Sequence, residues 1–177
     1  MRRRAGAVLA AAAMLASVAA IGAAAWRIPP NAPARQATVP PPPALKAERY
    51  LALTMYHEAR GQSRDAMRAV GWVVLNRARD AEFPDGIREV VVEPTRSGKC
   101  QFGWACGDLS VDPAEPEAWR QAEELAGELL FQPSHDPTAG ALWFWESWRE
   151  RPGWLGPDVR ETLQVGGHSF FAPGDMS

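Results

Sequence analysis

Residues 46–60 alternate polar and apolar positions with a period that suits a helix. Wound at about 100° per residue, Lys46, Arg49, His57 and Arg60 gather in one polar stripe. Leu51, Thr54 and Met55 share a row on the opposite side, and Glu58 falls on that row. Most of the remaining surface is apolar, which predicts a helix buried on several sides. Gly61 supplies the left-handed residue that ends such a helix. A second helix is predicted over residues 64–78, with Ser63 as N-cap and Ala66, Met67, Val70, Val73 and Val74 as its core stripe. A third opens at Asp112-Pro113, carries Trp119, Ala122, Leu125, Ala126, Leu129 and Leu130, and ends at Pro133. Residues 87–92 are short and apolar, and periodicity leaves helical turn and strand equally open. Residues 141–145 follow an Asp136-Pro137-Thr138-Ala139-Gly140 turn, are aromatic, and predict a strand. Gly166 to Phe171 predicts an irregular strand. Three or four helices with a small β element result.

Glu58 is the position where this pattern meets chemistry. A carboxylate on an apolar row is costly unless it is paired, hydrogen-bonded or protonated. Desolvation raises its pKa, the tuning a general acid needs near neutral pH. The alternative is a structural glutamate neutralised by Arg77 or Arg60, since ion-pair networks perturb pKa values as well. Periodicity leaves both open, and it gives Asn76, Arg77 and Arg60 capping or packing roles by default.

The chain has 177 residues, 46% of them hydrophobic, which suits one domain with an appendage. The appendage is residues 1–27. Met1-Arg2-Arg3-Arg4 is basic, and no charge follows until Arg27. It reads as a signal peptide or a membrane anchor, and either places the remainder outside the cytoplasm: in the periplasm or on the outer face of the membrane. Residues 28–45 are Pro-rich and form a spacer, so the domain proper is residues 46–177. From Glu48 onward there are 13 basic residues against 21 acidic ones, a formal −8. Such a balance argues against nucleic acid as a partner.

Cys100 and Cys106 are an even pair in an exported chain, which suggests a disulfide around Gln101–Ala105. Zinc is the competing reading, with His57, His135 or His168 added, but no pair has the usual CxxC or HxxxH spacing. Gly61 also stands where an HExxH motif needs its second histidine. Five of the eight tryptophans lie between Trp119 and Trp154. Their rings can stack on sugars or fill a core.

Taken in order, Tyr56-His57-Glu58-Ala59-Arg60-Gly61, Val73-Val74-Leu75-Asn76-Arg77, Cys100-Gln101-Phe102-Gly103-Trp104, Asp136-Pro137-Thr138 with Gly140-Ala141-Leu142, and Gly166, His168, Phe170 and Phe171 resemble the spore cortex-lytic, or SleB/CwlJ-type, family of cell wall hydrolases. The resemblance spans residues 48–173. It implies an α+β, mostly helical, lysozyme-like domain that cuts peptidoglycan between N-acetylmuramic acid and N-acetylglucosamine as a lytic transglycosylase, with no metal or other cofactor. The family glutamate maps onto Glu58. On this reading Tyr56, Gln101, Trp104, Trp143, Trp145 and His168 are substrate-binding candidates. Trp143 and Trp145 alternate along a strand, so both point to one face as a sugar platform. A plain muramidase would need a second carboxylate such as Asp108, and a non-catalytic glycan-binding domain would use the tryptophans alone.

Overall fold

The computed structural model describes residues 43–95, 97–110, 112–132 and 134–174. The predicted segment 1–27, most of the 28–45 spacer and the helix stop at Pro133 lie outside them. Among the described residues, four α-helices and a three-stranded sheet form an α+β domain: α1 (Pro43–Ala59), α2 (Arg64–Arg77), α3 (Ile87–Val91), α4 (Pro116–Phe131), β1 (Trp143–Glu146), β2 (Val159–Val165) and β3 (His168–Pro173). A 3-10 turn covers Gly103–Cys106.

Helix α1 is the axis of the domain and packs against α2, α3 and α4. Leu51, Ala52, Thr54 and Met55 are wholly buried, so the apolar row read from the sequence is the core row. Thr54 returns its hydroxyl to the Tyr50 carbonyl at 3.0 Å. The helix begins at Pro43, three residues earlier than the pattern suggests, because proline is tolerated in a first turn. It closes as predicted on Gly61, whose φ of 80° lies in the left-handed region. Ser63 caps α2 by accepting from the Ala66 amide at 3.2 Å, a contact worth about 1 kcal/mol. Gly71 sets how closely α2 approaches its neighbours. A Cβ there would lie 2.7 Å from both Leu129 Cδ1 and Met55 Sδ.

Residues 87–91 resolve as helix, with Val90 and Val91 buried. Helix α4 starts at Pro116 rather than at Pro113; a proline again occupies the first turn. Trp119, Ala122, Leu125, Ala126 and Leu129 are buried along it. The sheet has order β1-β3-β2, antiparallel throughout, and the buried strand β3 is its centre. Strand β2 was not legible from the pattern. It turns into β3 through Gly166-Gly167, and the Gly167 amide donates to Gln62 Oε1 at 2.9 Å, tying this hairpin to the end of α1.

Adjacent residues at the end of α2 fasten the sheet. Asn76 Nδ2 donates to Asp136 Oδ2 at 2.9 Å and to the Ala141 carbonyl at 3.1 Å. Arg77 Nε donates to the Leu142 carbonyl at 2.7 Å. Asp136 also accepts from the amides of Thr138 and Gly140 and from the Thr138 hydroxyl. Asp136-Pro137-Thr138 thus builds a turn that delivers β1 to the site.

Candidate active site

The last turn of α1 places Glu58 at the wall of a cavity of about 320 Å³. Arg77 of α2, Gln101, Phe102 and Gly103 of the bridged loop, Phe144, Trp145 and Glu146 of β1, Trp154, and His168 of β3 complete the lining. No cluster of three or more His, Cys, Asp or Glu with metal-holding geometry occurs among the described residues.

Glu58 is half-buried, and its Oε1 accepts from the Trp104 indole N–H at 2.9 Å. Neither arginine named as a structural partner locks it. Arg60 pairs with Glu115 at 3.0 Å and lies over the Tyr56 ring. Arg77 holds the Leu142 carbonyl, and its Nη1 is buried without a hydrogen-bond partner. Burial pushes the Arg77 guanidinium down to about 10, against the pull of Glu93 and Glu58, so it stays charged at neutral pH. Burial also pushes the Glu58 carboxyl above the ordinary glutamate value; the Trp104 N–H opposes this, nearby Glu146 adds to it, and Arg77 opposes it. The net shift is upward.

Trp104 is held from both sides. Its ring stacks on His57 at 4.7 Å and 19°, and Phe102 lies against it at 5.8 Å. Burial, followed by Arg60, lowers the His57 pKa and favours the neutral ring in that stack. The Cys100–Cys106 disulfide forms, with Cα atoms 5.7 Å apart, and closes the loop that carries Gln101 and Trp104. A bond from the Gln101 amide to the Glu93 carbonyl at 2.8 Å pins the same loop to the chain beyond α3.

Of the candidates, Glu58, Gln101, Trp145 and His168 line the cavity, and Trp104 reaches it through Glu58. Tyr56 does not. Two residues along a helix are about 200° apart, so Tyr56 faces the core, 3% exposed, edge-on to Trp119. Trp143 is also not among the lining residues. Strand β1 turns Phe144 and Glu146 toward His168 instead; Phe144 packs edge-on to that ring at 5.2 Å. Trp145 leans on Trp154 and Arg149 and gives its N–H to the Glu150 carbonyl, and of the Trp143–Trp145 pair it is the one that lines the cavity. Asp108 is exposed, held by Ser110, and does not line the cavity. The second carboxylate there is Glu146. The signal for it was the period of two that joins it to Phe144, masked by the flanking tryptophans. Arg77, read as packing, is a wall of the site as well.

A half-buried glutamate with a raised pKa and a second carboxylate, both lining an aromatic cavity carried by helices and a small sheet, define an α+β domain with an acidic cleft. A model of the Cell Wall Hydrolase family matches residues 61–171, and the chain belongs to that family. Glu58 lies just before the matched stretch, so its place in the site rests on the geometry above. The chain is 27% identical over 124 residues to a spore cortex-lytic enzyme of Oceanobacillus iheyensis, covering 68% of this chain and 39% of that protein. It is 28% identical over 122 residues to one from Halalkalibacterium halodurans, covering 68% and 33%. It therefore spans well under half the length of these relatives. Among solved structures it resembles the catalytic domain of the germination-specific lytic transglycosylase SleB from Bacillus anthracis, with a TM-score of 0.55 and 26% identity over 70% of this chain and 92% of that one. The Bacillus cereus SleB catalytic domain shares the fold, with a TM-score of 0.53 and 24% identity over 71% and 89%.

Proposed function

We propose that this protein cleaves the glycan strand of peptidoglycan between N-acetylmuramic acid and N-acetylglucosamine, as a lytic transglycosylase with Glu58 as its one acid and base. The observation that carries this reading is a half-buried Glu58 that lines a cavity, has its pKa raised by burial and makes no salt bridge with Arg60 or Arg77. Protonated Glu58 gives its proton to the glycosidic oxygen as the bond to C1 breaks. The oxocarbenium-like charge at C1 is stabilised by the acetamido group of the same sugar. Glu58, now a carboxylate, takes the proton of the muramoyl 6-hydroxyl as that oxygen closes on C1. The product carries a 1,6-anhydro end, and Glu58 is again protonated.

On this reading Gln101, Trp145, Trp154 and His168, which line the cavity, contact the sugars, and Trp104, which donates to Glu58, orients it. The substrate lies outside the cytoplasm. Residues 1–27 act as the export signal or anchor, residues 28–45 chiefly as spacer, and residues 46–177 hold the catalytic domain. A second reading, hydrolysis by water, is favoured by Glu146, a second carboxylate in the cavity. Digestion of purified peptidoglycan by the full chain, with mass analysis of the muropeptides, separates the two. Products one water lighter than hydrolytic ones support transglycosylation. Reducing ends support hydrolysis, and intact peptidoglycan overturns both.

A further inference from the structure

Glu146 ends β1 and stands directly across from His168 in the β1–β3 register. Phe144, two residues earlier on the same face, packs on the His168 ring. Glu146 and Glu58 therefore line one cavity from opposite structural layers, strand and helix. We propose that Glu146 is a positioning residue whose negative charge keeps the proton on Glu58 until the glycosidic oxygen receives it. The inference rests on the reading of Glu58 given above.

Beyond the cavity, Glu146 shares a second hollow with Arg149, Arg151 and Glu161, where the last two are of opposite sign. The charged and titratable neighbours nearer the pair support the sign of the proposed effect. Helix α1 contributes Glu58 itself and His57, whose pKa is lowered and whose ring is occupied with Trp104. Helix α2 contributes the Arg77 guanidinium, which draws Glu58 toward its carboxylate form. Glu93, beyond α3, acts on Arg77 in turn. Strand β3 contributes His168, buried, with Nδ1 unpartnered. Burial outweighs the attraction of Glu146 and favours the neutral imidazole, so His168 does not cancel the Glu146 charge. The turn after β1 contributes Arg149, whose Nε lies 3.9 Å from Glu146 on a side chain 58% exposed. A contact that long and that wet is largely screened. The Glu146 charge thus stays available inside the cavity, where its effect on a like charge is stronger than in water. It works against Arg77 and with burial, and the Glu58 shift carries its contribution.

The test uses the full chain with Glu146→Gln, Glu146→Asp and Arg149→Gln, each checked for the wild-type amide spectrum. Two quantities are read: the pH at which the Glu58 side-chain carboxyl titrates by carbon NMR without substrate, and the basic limb of the pH–rate profile on peptidoglycan. In Glu146→Gln both move to lower pH. Glu146→Asp follows wild type. Arg149→Gln leaves Glu58 close to wild type, since that contact is largely screened. An unmoved Glu58 in Glu146→Gln overturns the proposal, as does a loss of rate equal at every pH with no displacement of the limb. Absence of cleavage by the wild-type chain would refute the reaction proposed above, and the substrate-free titration would still decide the role of Glu146.

Discussion

Glu58 and Asp136 are two partly buried carboxylates approached by consecutive residues of α2, and their surroundings tune them in opposite directions. Asn76 reaches Asp136, while Arg77 lines the cavity of Glu58. Burial works to raise both. At Asp136 it is outweighed by donors from Thr138, Asn76 and Gly140, and the carboxyl sits below the ordinary aspartate value. At Glu58 one indole N–H opposes burial, and burial wins. The number of donors, more than depth, separates a carboxylate that fastens a turn and is pushed down from a carboxyl that burial pushes up.

The largest effect expected from breaking this contrast is at Glu58. Glu58→Gln is predicted to lower the rate of muropeptide release by about 10²- to 10⁴-fold. It should also melt higher than wild type at neutral pH. With a raised folded pKa, Glu58 retains a proton that the unfolded chain loses, so its contribution to stability falls as pH rises through the window between the two values. The gain should therefore vanish below the ordinary glutamate pKa, which thermal melts across pH will show.

Asp136→Ala should do the reverse. It leaves Thr138, Gly140 and part of Asn76 without an acceptor and is expected to cost about 3 kcal/mol in denaturant unfolding at pH 7. The folded Asp136 pKa is depressed, so this stabilisation is present above the unfolded value and lost as pH falls through the folded one. The difference between variant and wild type should shrink on that side. The rate per folded molecule should fall far less than in Glu58→Gln.

Replacing Cys100 and Cys106 together by serine removes a short-loop cross-link worth about 2 kcal/mol. Activity should fall more than stability explains, because the loop holds Trp104 over Glu58; denaturant curves and rates on one preparation will compare the two. The smallest effect is Trp104→Phe. It keeps an aromatic ring beside His57 and removes the N–H that draws Glu58 down. The basic limb of the pH–rate profile should move up, with less than about tenfold change in the maximal rate.

The helical frame was legible because burial writes itself at the helix period. The α1 row, the α2 valine stripe and the α4 stripe from Trp119 to Leu129 are buried as read, and Glu58 stood out because it broke the row. Strand β2 was hidden because its residues are half-exposed or exposed and its apolar alternation of Val159, Leu163 and Val165 is broken at Glu161. The site was read partly wrong where adjacency was taken for proximity. Tyr56 is two residues from Glu58 and points into the core. Trp143 and Trp145 share a strand face, yet Trp143 does not line the cavity, while Phe144 and Glu146 do. Arg77 was read as packing or as a partner that neutralises Glu58; that it forms a wall of the cavity depends on which loop crosses it, a tertiary fact with no local signature.

The account rests on a carboxyl that keeps its proton, and direct titration of the side-chain carboxyls of Glu58 and Asp136 in one carbon NMR experiment tests it. Glu58 is predicted to titrate above, and Asp136 below, the ordinary value of its residue type. A Glu58 that titrates at or below the ordinary glutamate value would contradict the account.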